Sequence, residues 1–488
     1  MSNQDFRGAS ASSAFSANTT GAWRVQTLAL AVATSLSCWA ASASAQSLSE
    51  LYQTAKSYDA AYQSAVAQAE ATRYKTEQAY AARRPTVGLK GSITRQHFDA
   101  ANDSAATPTT QAQLAQLTAA QASSLAASAQ GGNYTVTNKN IALQAKQSLY
   151  NRSTGAAIEQ AEEALKATEN DLKIAEDDLI VRLTQAYFDV LSARDVLATA
   201  QANKKALAEQ LASAKRNFEV GNATITDTRE AQARFDLATA QEIAADNDLK
   251  VKSIGLDQVV GQSNLQPKPL ITPVNLPVLS PATAEEWVAM TATNSNVLKA
   301  QTGLNVAQLE ARKANGEHYP TADLVAAISK TDLDGNPSLA LSSSNGTSAS
   351  IGVEVNVPLF TGFSTSNHIK ETAALITKSE RDLDNAKRSV ALVTRQAFFG
   401  VQSGLAQVKA LEAAEGSAKL ALEATQLGYR VGVRVNKDVL DAQTALANTQ
   451  KDLYKARYDV IVGTMKLRQA SGSLKSEDLD TLNKLLSR

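Results

Sequence analysis

Two carboxylates late in the chain, Asp438 and Asp441, are spaced to act together. Residues three apart on a helix share a face, and carboxylates held that close favour a cation over an anion and raise each other's pKa. A plainer role competes. Asp438 falls in the first turn of the helix expected from Asn436, where an acidic side chain complements the macrodipole. Little else in the chain promises chemistry. His97, His318 and His368 sit in unrelated segments, with no HExxH and no Cys/His cluster to hold a metal. His318 stands just before Pro320 at a helix end and reads as structural. No GxxxxGK[ST] sequence occurs, so energy for any transport has to come from a partner. The chain therefore reads as a non-enzyme without a cofactor.

Those residues sit in a tandem repeat. Phe218-Glu219-Val220-Gly221 returns as Tyr429-Arg430-Val431-Gly432, 211 positions later, and Asp227 returns as Asp438. Gln185-Ala186-Tyr187-Phe188 matches Gln396-Ala397-Phe398-Phe399 at the same offset, whereas Pro85-Thr86 matches Pro320-Thr321 at an offset of 235. The difference of 24 is an insertion in the first half. It falls in the Ala/Ser/Thr/Gln-rich stretch from Asp99 to Gly132, where a surface loop tolerates it.

Each half reads helix, strand, loop, strand, long helix, shorter helix. The first helices run from about Leu48 to Arg84 and Ala284 to Tyr319, each ended by a proline. The long helices cover about Ser153 to Phe218 and Ser364 to Tyr429, each roughly 100 Å long at the standard rise. The closing helices span about Thr226 to Val260 and Asn436 to Ala470. Ile158, Leu165, Leu172 and Leu179 are seven apart, as are Ile369, Ile376, Leu383 and Val390. A sustained heptad stripe predicts helices packed lengthwise in a left-handed coiled coil. Gly221 and Gly432 are expected to take positive φ in the hairpin turns.

Four segments alternate with period two. Val87, Leu89 and Ile93 oppose Thr86, Lys90 and Thr94; Ile141, Leu143 and Ala145 oppose Gln144, Lys146 and Ser148. In the second half, Ala322, Leu324, Ala326 and Ile328 oppose Asp323 and Ser329, and Ile351, Val353, Val355, Val357 and Leu359 oppose Gly352, Glu354 and Asn356, so strands are expected near 85–95, 134–150, 320–330 and 349–360. This pattern fits strands with one lipid face and one lumen face. A half-buried sheet on a soluble core is the competing reading. Four strands cannot close a membrane barrel, and an open edge in lipid leaves backbone groups unsatisfied. The strands must be pooled between chains. Two chains would leave little lumen, so a conduit needs three or more.

The N-terminus reads as an export leader over 1–45: Arg24, the apolar run Leu28 to Leu36, and an Ala43-Ser44-Ala45 cleavage site. Cys38 leaves with it, making a cysteine-free extracytoplasmic protein from near Gln46. The 488 residues balance 48 Lys and Arg against 48 Asp and Glu, which gives no basic face for nucleic acid.

The duplicated order, the paired Phe218/Tyr429-x-Val-Gly turns and the stretch Gly428 to Gly432 leading to Asp438-Val439-Leu440-Asp441-Ala442 resemble the TolC family of outer-membrane efflux and secretion channels. The resemblance implies a mainly α fold with a β-barrel segment: a homotrimer, a twelve-stranded barrel in outer-membrane lipid and a helical tunnel across the periplasm. It implies a periplasmic adaptor and an inner-membrane transporter as partners, and small toxic molecules or secreted polypeptides as cargo. The organisation becomes repeat one over 46–265, an equatorial linker over 266–283, repeat two over 284–472 and a C-terminal equatorial segment over 473–488. The polar C-terminal extension of some members is not expected after Arg488. Asp438 and Asp441 resemble the acidic pair at the periplasmic constriction, where a ring of them would bind a blocking cation. Thr226, Asp227, Tyr429 and Arg434 resemble the latch between hairpins, with Tyr429 bonded to Asp227 and Arg434 to Thr226 or a nearby carbonyl; a plainer role has Thr226 or Thr224 as an N-cap and Asp227 in the first turn, and cap and latch use different atoms.

Two other classes compete. A periplasmic adaptor would carry one hairpin between soluble β domains, not two strand-bearing repeats. A secreted coiled-coil structural protein leaves the four matched strands unexplained.

Overall fold

The computed structural model describes residues 47–98, 134–271, 273–274, 276–334 and 344–486. The leader, with Arg24 and Cys38, and the Asp99 to Gly132 insertion lie outside the described residues. In chain order, α1 (Leu48–Tyr58), α2 (Ala60–Ala81), β1 (Thr86–Phe98), β2 (Tyr134–Tyr150), α3 (Arg152–Glu219) and α4 (Ile225–Val260) make the first half. The second half is α5 (Ala284–Met290), a 3-10 turn (Thr291–Thr293), α6 (Ser295–Gly316), β3 (Thr321–Asp334), β4 (Ser344–Asn356), α7 (Ser364–Arg430) and α8 (Asn436–Ser471). A short α9 (Glu477–Asn483) follows.

The first helix of each half is broken, not continuous as the sequence suggested. The breaks fall at Asp59 and Asn294, 235 positions apart. Each residue takes an extended backbone, and its side chain caps the next helix. Asp59 accepts from the Tyr62 N–H at 2.8 Å and Asn294 from the Asn296 N–H at 2.9 Å. Both caps also bind a neighbour. Arg182 of α3 forks onto the two Asp59 oxygens at 3.0 Å each. Asn294 Nδ2 donates to the carbonyls of Gln469 and Ala470, at 3.1 and 2.9 Å, satisfying the end of α8. The chain then turns at Gly472 with φ +77°, and a Cβ there would lie 2.7 Å from the Asn294 Cα. Only glycine meets both demands.

Tyr187 and Phe188, in the middle of α3, are fully buried beside Leu183, Leu256 and Tyr458. This core ties α3 and α4 to α1, α8 and α9. Lys268 N–H donates to the Tyr187 hydroxyl at 2.8 Å, pinning the connection between halves. The matching Phe398 packs in a second core with Trp287 and Val460. The heptad stripe is used as well. Ile158 and Leu179 are buried, and Leu383 packs on Val297 and Leu304 of α6.

The strands form one antiparallel sheet in the order β1-β2-β3-β4. Leu89 lies opposite Leu143, Leu143 opposite Ile328, and Ala326 opposite Ile351. One face is therefore an apolar patch, with Leu89, Ile93 and Ile351 each more than 70% exposed. The other face is polar and carries a Lys146–Asp323 ion pair at 2.9 Å. The last strand begins earlier than its alternation suggested, at Ser344, and ends earlier, at Asn356, because Pro358 has no N–H to extend the ladder. Within the described residues β1 and β4 each have one partner strand, so each keeps an unpaired edge.

Candidate functional site

The sequence-selected residues gather where each long helix turns back on its partner. Helix α3 ends at Val220, and the Gly221 N–H bonds the Phe218 carbonyl at 3.0 Å. Helix α7 ends alike, with the Gly432 N–H on the Tyr429 carbonyl at 3.1 Å. Gly221 has φ +79° and Gly432 φ +82°. A Cβ at either would meet nothing within 4 Å, so the backbone alone calls for glycine.

The two hairpins meet through α8. Leu440 is fully buried against Leu207, Leu211, Ala231 and Ala238, a slot made by both helices of the first hairpin. The next residue, Asp441, receives Arg234 Nη2 of α4 at 2.6 Å. Lys437, one turn earlier, contacts the other carboxylate oxygen. Asp438 is half-buried, and its nearest cation is Arg434 at 3.5 Å.

Three expectations change on this geometry. Asp441 was expected to be raised by its acidic neighbour. Instead the Lys437 ammonium holds its carboxyl below the usual range, against an opposing effect of burial and with Arg234 assisting. Tyr429 does not meet Asp227 within the chain; its hydroxyl accepts from Asn217 Nδ2 at 3.2 Å. Asp227 spends one carboxylate oxygen, Oδ2, on a cap. It closes a capping box with Thr224, accepting from the Thr224 N–H at 2.9 Å while Thr224 Oγ1 accepts from its own N–H at 3.2 Å. Arg434 lies near Asp438, and Thr226 is exposed.

Arg234, Asn217 and Leu440 were missed. Lys437 was legible as an i,i+4 partner of Asp441. Arg234 and Asn217 belong to another hairpin, and no local spacing joins them to α8. Among the described residues no group of three or more His, Cys, Asp or Glu is placed to hold a metal ion.

The family model described as outer membrane efflux protein matches residues 51–262 and 289–473, one segment in each half. The chain belongs to the outer membrane efflux protein family. Outer membrane protein TolC of Vibrio cholerae is 32% identical over 338 residues, covering 69% of this chain and 77% of that protein. The alkaline protease secretion protein AprF of Pseudomonas aeruginosa is 32% identical over 306 residues, covering 62% of this chain and 63% of that protein. The crystal structure of outer membrane protein VceC from Vibrio cholerae superposes with a TM-score of 0.70 at 18% identity, over 87% of this chain and 96% of that one. At that identity the likeness concerns the fold. Membership of the efflux family places the protein in the outer membrane, in a family of channels rather than enzymes.

Proposed function

We propose that three copies of this outer membrane efflux protein pool their four strands into a twelve-stranded barrel, above a periplasmic tunnel built from the long helices. What supports this is the sheet itself. Its outward face is apolar, its reverse is polar, and its two edges need partners that lipid cannot supply. Three chains are the fewest that leave an open lumen. Helices α3 and α7, of 68 and 67 residues, continue from the barrel for about 100 Å.

The tunnel is a passive conduit. A periplasmic adaptor and an inner-membrane transporter feed its far end, and the transporter supplies the energy. AprF bears the name of a protease secretion protein, and the family name is that of efflux proteins; both polypeptide and small-molecule cargo suit a conduit of this build.

The hairpin turns form the gate. Asp438 and Asp441, one helical face on each chain, line the constriction. Tyr429 and Arg434 stand at one hairpin end and Thr226 and Asp227 at the other; contacts among them, made when the copies come together, latch the hairpins at about 0.5–1.5 kcal/mol a link. An arriving partner opens the gate by replacing a few such links. Single-channel recording in planar bilayers tests this, with Mg2+ and La3+ added to wild type and to Asp438→Ala/Asp441→Ala. Pores blocked by these cations in wild type, but not in the double variant, would bear the gate out. Equal block in both would place the constriction elsewhere.

A further inference from the structure

The acidic pair does not stand alone at the hairpin ends. Residues 215–234 and 430–441 together hold seven Lys and Arg against five Asp and Glu. Three of those cations lie on the two carboxylates: Arg434 near Asp438, and Lys437 with Arg234 on Asp441. Arg434 and Lys437 belong to the same helix end as their partners. Arg234 does not. It reaches from α4 across the groove between hairpins, with its side chain 30% exposed and that of Asp441 41% exposed.

The repeat shows how particular this contact is. The 211-residue offset carries Asp438 onto Asp227 and Asp441 onto Glu230, so the acidic spacing exists in both halves. It carries Arg234 onto Ala445, which has no charge to return. Among the described residues this bridge from the first hairpin to Asp441 of the second has no counterpart in the repeat. Leu440 seats its side chain in the first hairpin immediately beside the bridge. That knob fixes the register of α8 on α3 and α4, and so holds Asp441 within reach of Arg234.

We infer that Arg234 determines both the closure and the ion preference of the constriction, by clamping the second hairpin through Asp441 and withdrawing that carboxylate from the acidic ring. The inference rests on the gate reading above and divides its two acids. Asp438, whose nearest cation Arg434 stands off at 3.5 Å, is the carboxylate more open to a cation. Asp441 is the anchor of the clamp. A channel of this kind rests closed with weaker cation preference than a ring of six bare carboxylates would have. When the hairpins part, Arg234 leaves Asp441 and the opened mouth becomes more acidic than the closed one.

The test is single-channel recording of the full chain in planar bilayers, with reversal potentials in a KCl gradient and La3+ titration. Variants are Arg234→Gln, Asp441→Asn and the exchanged pair Arg234→Asp/Asp441→Arg. Arg234→Gln is expected to raise resting conductance at least twofold, shift the reversal potential toward K+ and lower the blocking La3+ concentration about tenfold. Asp441→Asn raises conductance similarly but shifts the reversal potential toward Cl−. The exchanged pair restores wild-type conductance, because the clamp is re-formed with opposite polarity. An Arg234→Gln channel with wild-type conductance and block overturns the inference. So does an exchanged pair that conducts like either single variant. If wild type forms no pores at all, the channel reading falls first. Pores that are indifferent to Arg234 remove only the clamp.

Discussion

Asn217 Nδ2 donates to the Tyr429 hydroxyl at 3.2 Å, joining the last turn of α3 to the last turn of α7. The repeat places Phe218 where Tyr429 stands, so the hydroxyl exists in one half only. Tyr429→Phe removes this acceptor and leaves the ring. A loss of about 0.5–1.5 kcal/mol raises the open-state occupancy roughly two- to tenfold. Open probability in bilayer recordings checks this, and an unchanged value would mean the bond contributes nothing to closure.

Leu440→Ala empties the slot between α3 and α4. Truncating a fully buried leucine costs about 2–5 kcal/mol, here confined to the hairpin contact. Hydrogen exchange should quicken in the first turns of α4 and α8 while the Tyr187 core stays protected. Uniform loss of protection would show that the hairpins do not open separately from the core.

The tip and the core differ in how legible they were. The Gly221 and Gly432 turns, the heptad stripes and the strand faces follow local periodicity, which one sequence displays. The breaks at Asp59 and Asn294 were signalled by capping residues, but the run of helix formers around them masked the signal. Arg234 on Asp441 and Asn217 on Tyr429 depend on how one hairpin docks on the other, about 200 residues away. No period records that. The capping box of Asp227 was local, and it occupies one oxygen, Oδ2, of the carboxylate that the latch pattern assigned to Tyr429.

Acid should weaken the first helix junction. Burial alone would raise the Asp59 carboxyl, but Arg182 and the Tyr62 N–H hold it below its ordinary value. A carboxyl depressed in the folded chain stabilises fully above its unfolded pKa of about 3.9 and loses that stabilisation as pH falls through the folded value. Asp59→Asn should lower stability by about 1–2 kcal/mol at pH 7, allowing for the half-exposed Arg182. Melting curves of the two proteins should converge as pH falls below the ordinary carboxylate range. A gap that stays constant with pH would assign the loss to the cap rather than to charge.

The two faces of the sheet should respond differently to charge. Leu89→Arg places a cation on the apolar face, at a cost of about 2–4 kcal/mol near the bilayer midplane. Gln144→Arg places it on the polar face and should leave assembly intact. Heat-resistant oligomer on a gel reads both. Equal tolerance of the two would contradict the assignment of lipid and lumen faces.

Pooling of strands between copies of this chain to close one barrel is the proposal on which the rest depends. Native mass spectrometry of the detergent-extracted protein measures the number of copies. A complex of three chains that survives removal of bulk lipid is expected. A mass of one chain, with the edges of β1 and β4 left unpaired, would contradict it.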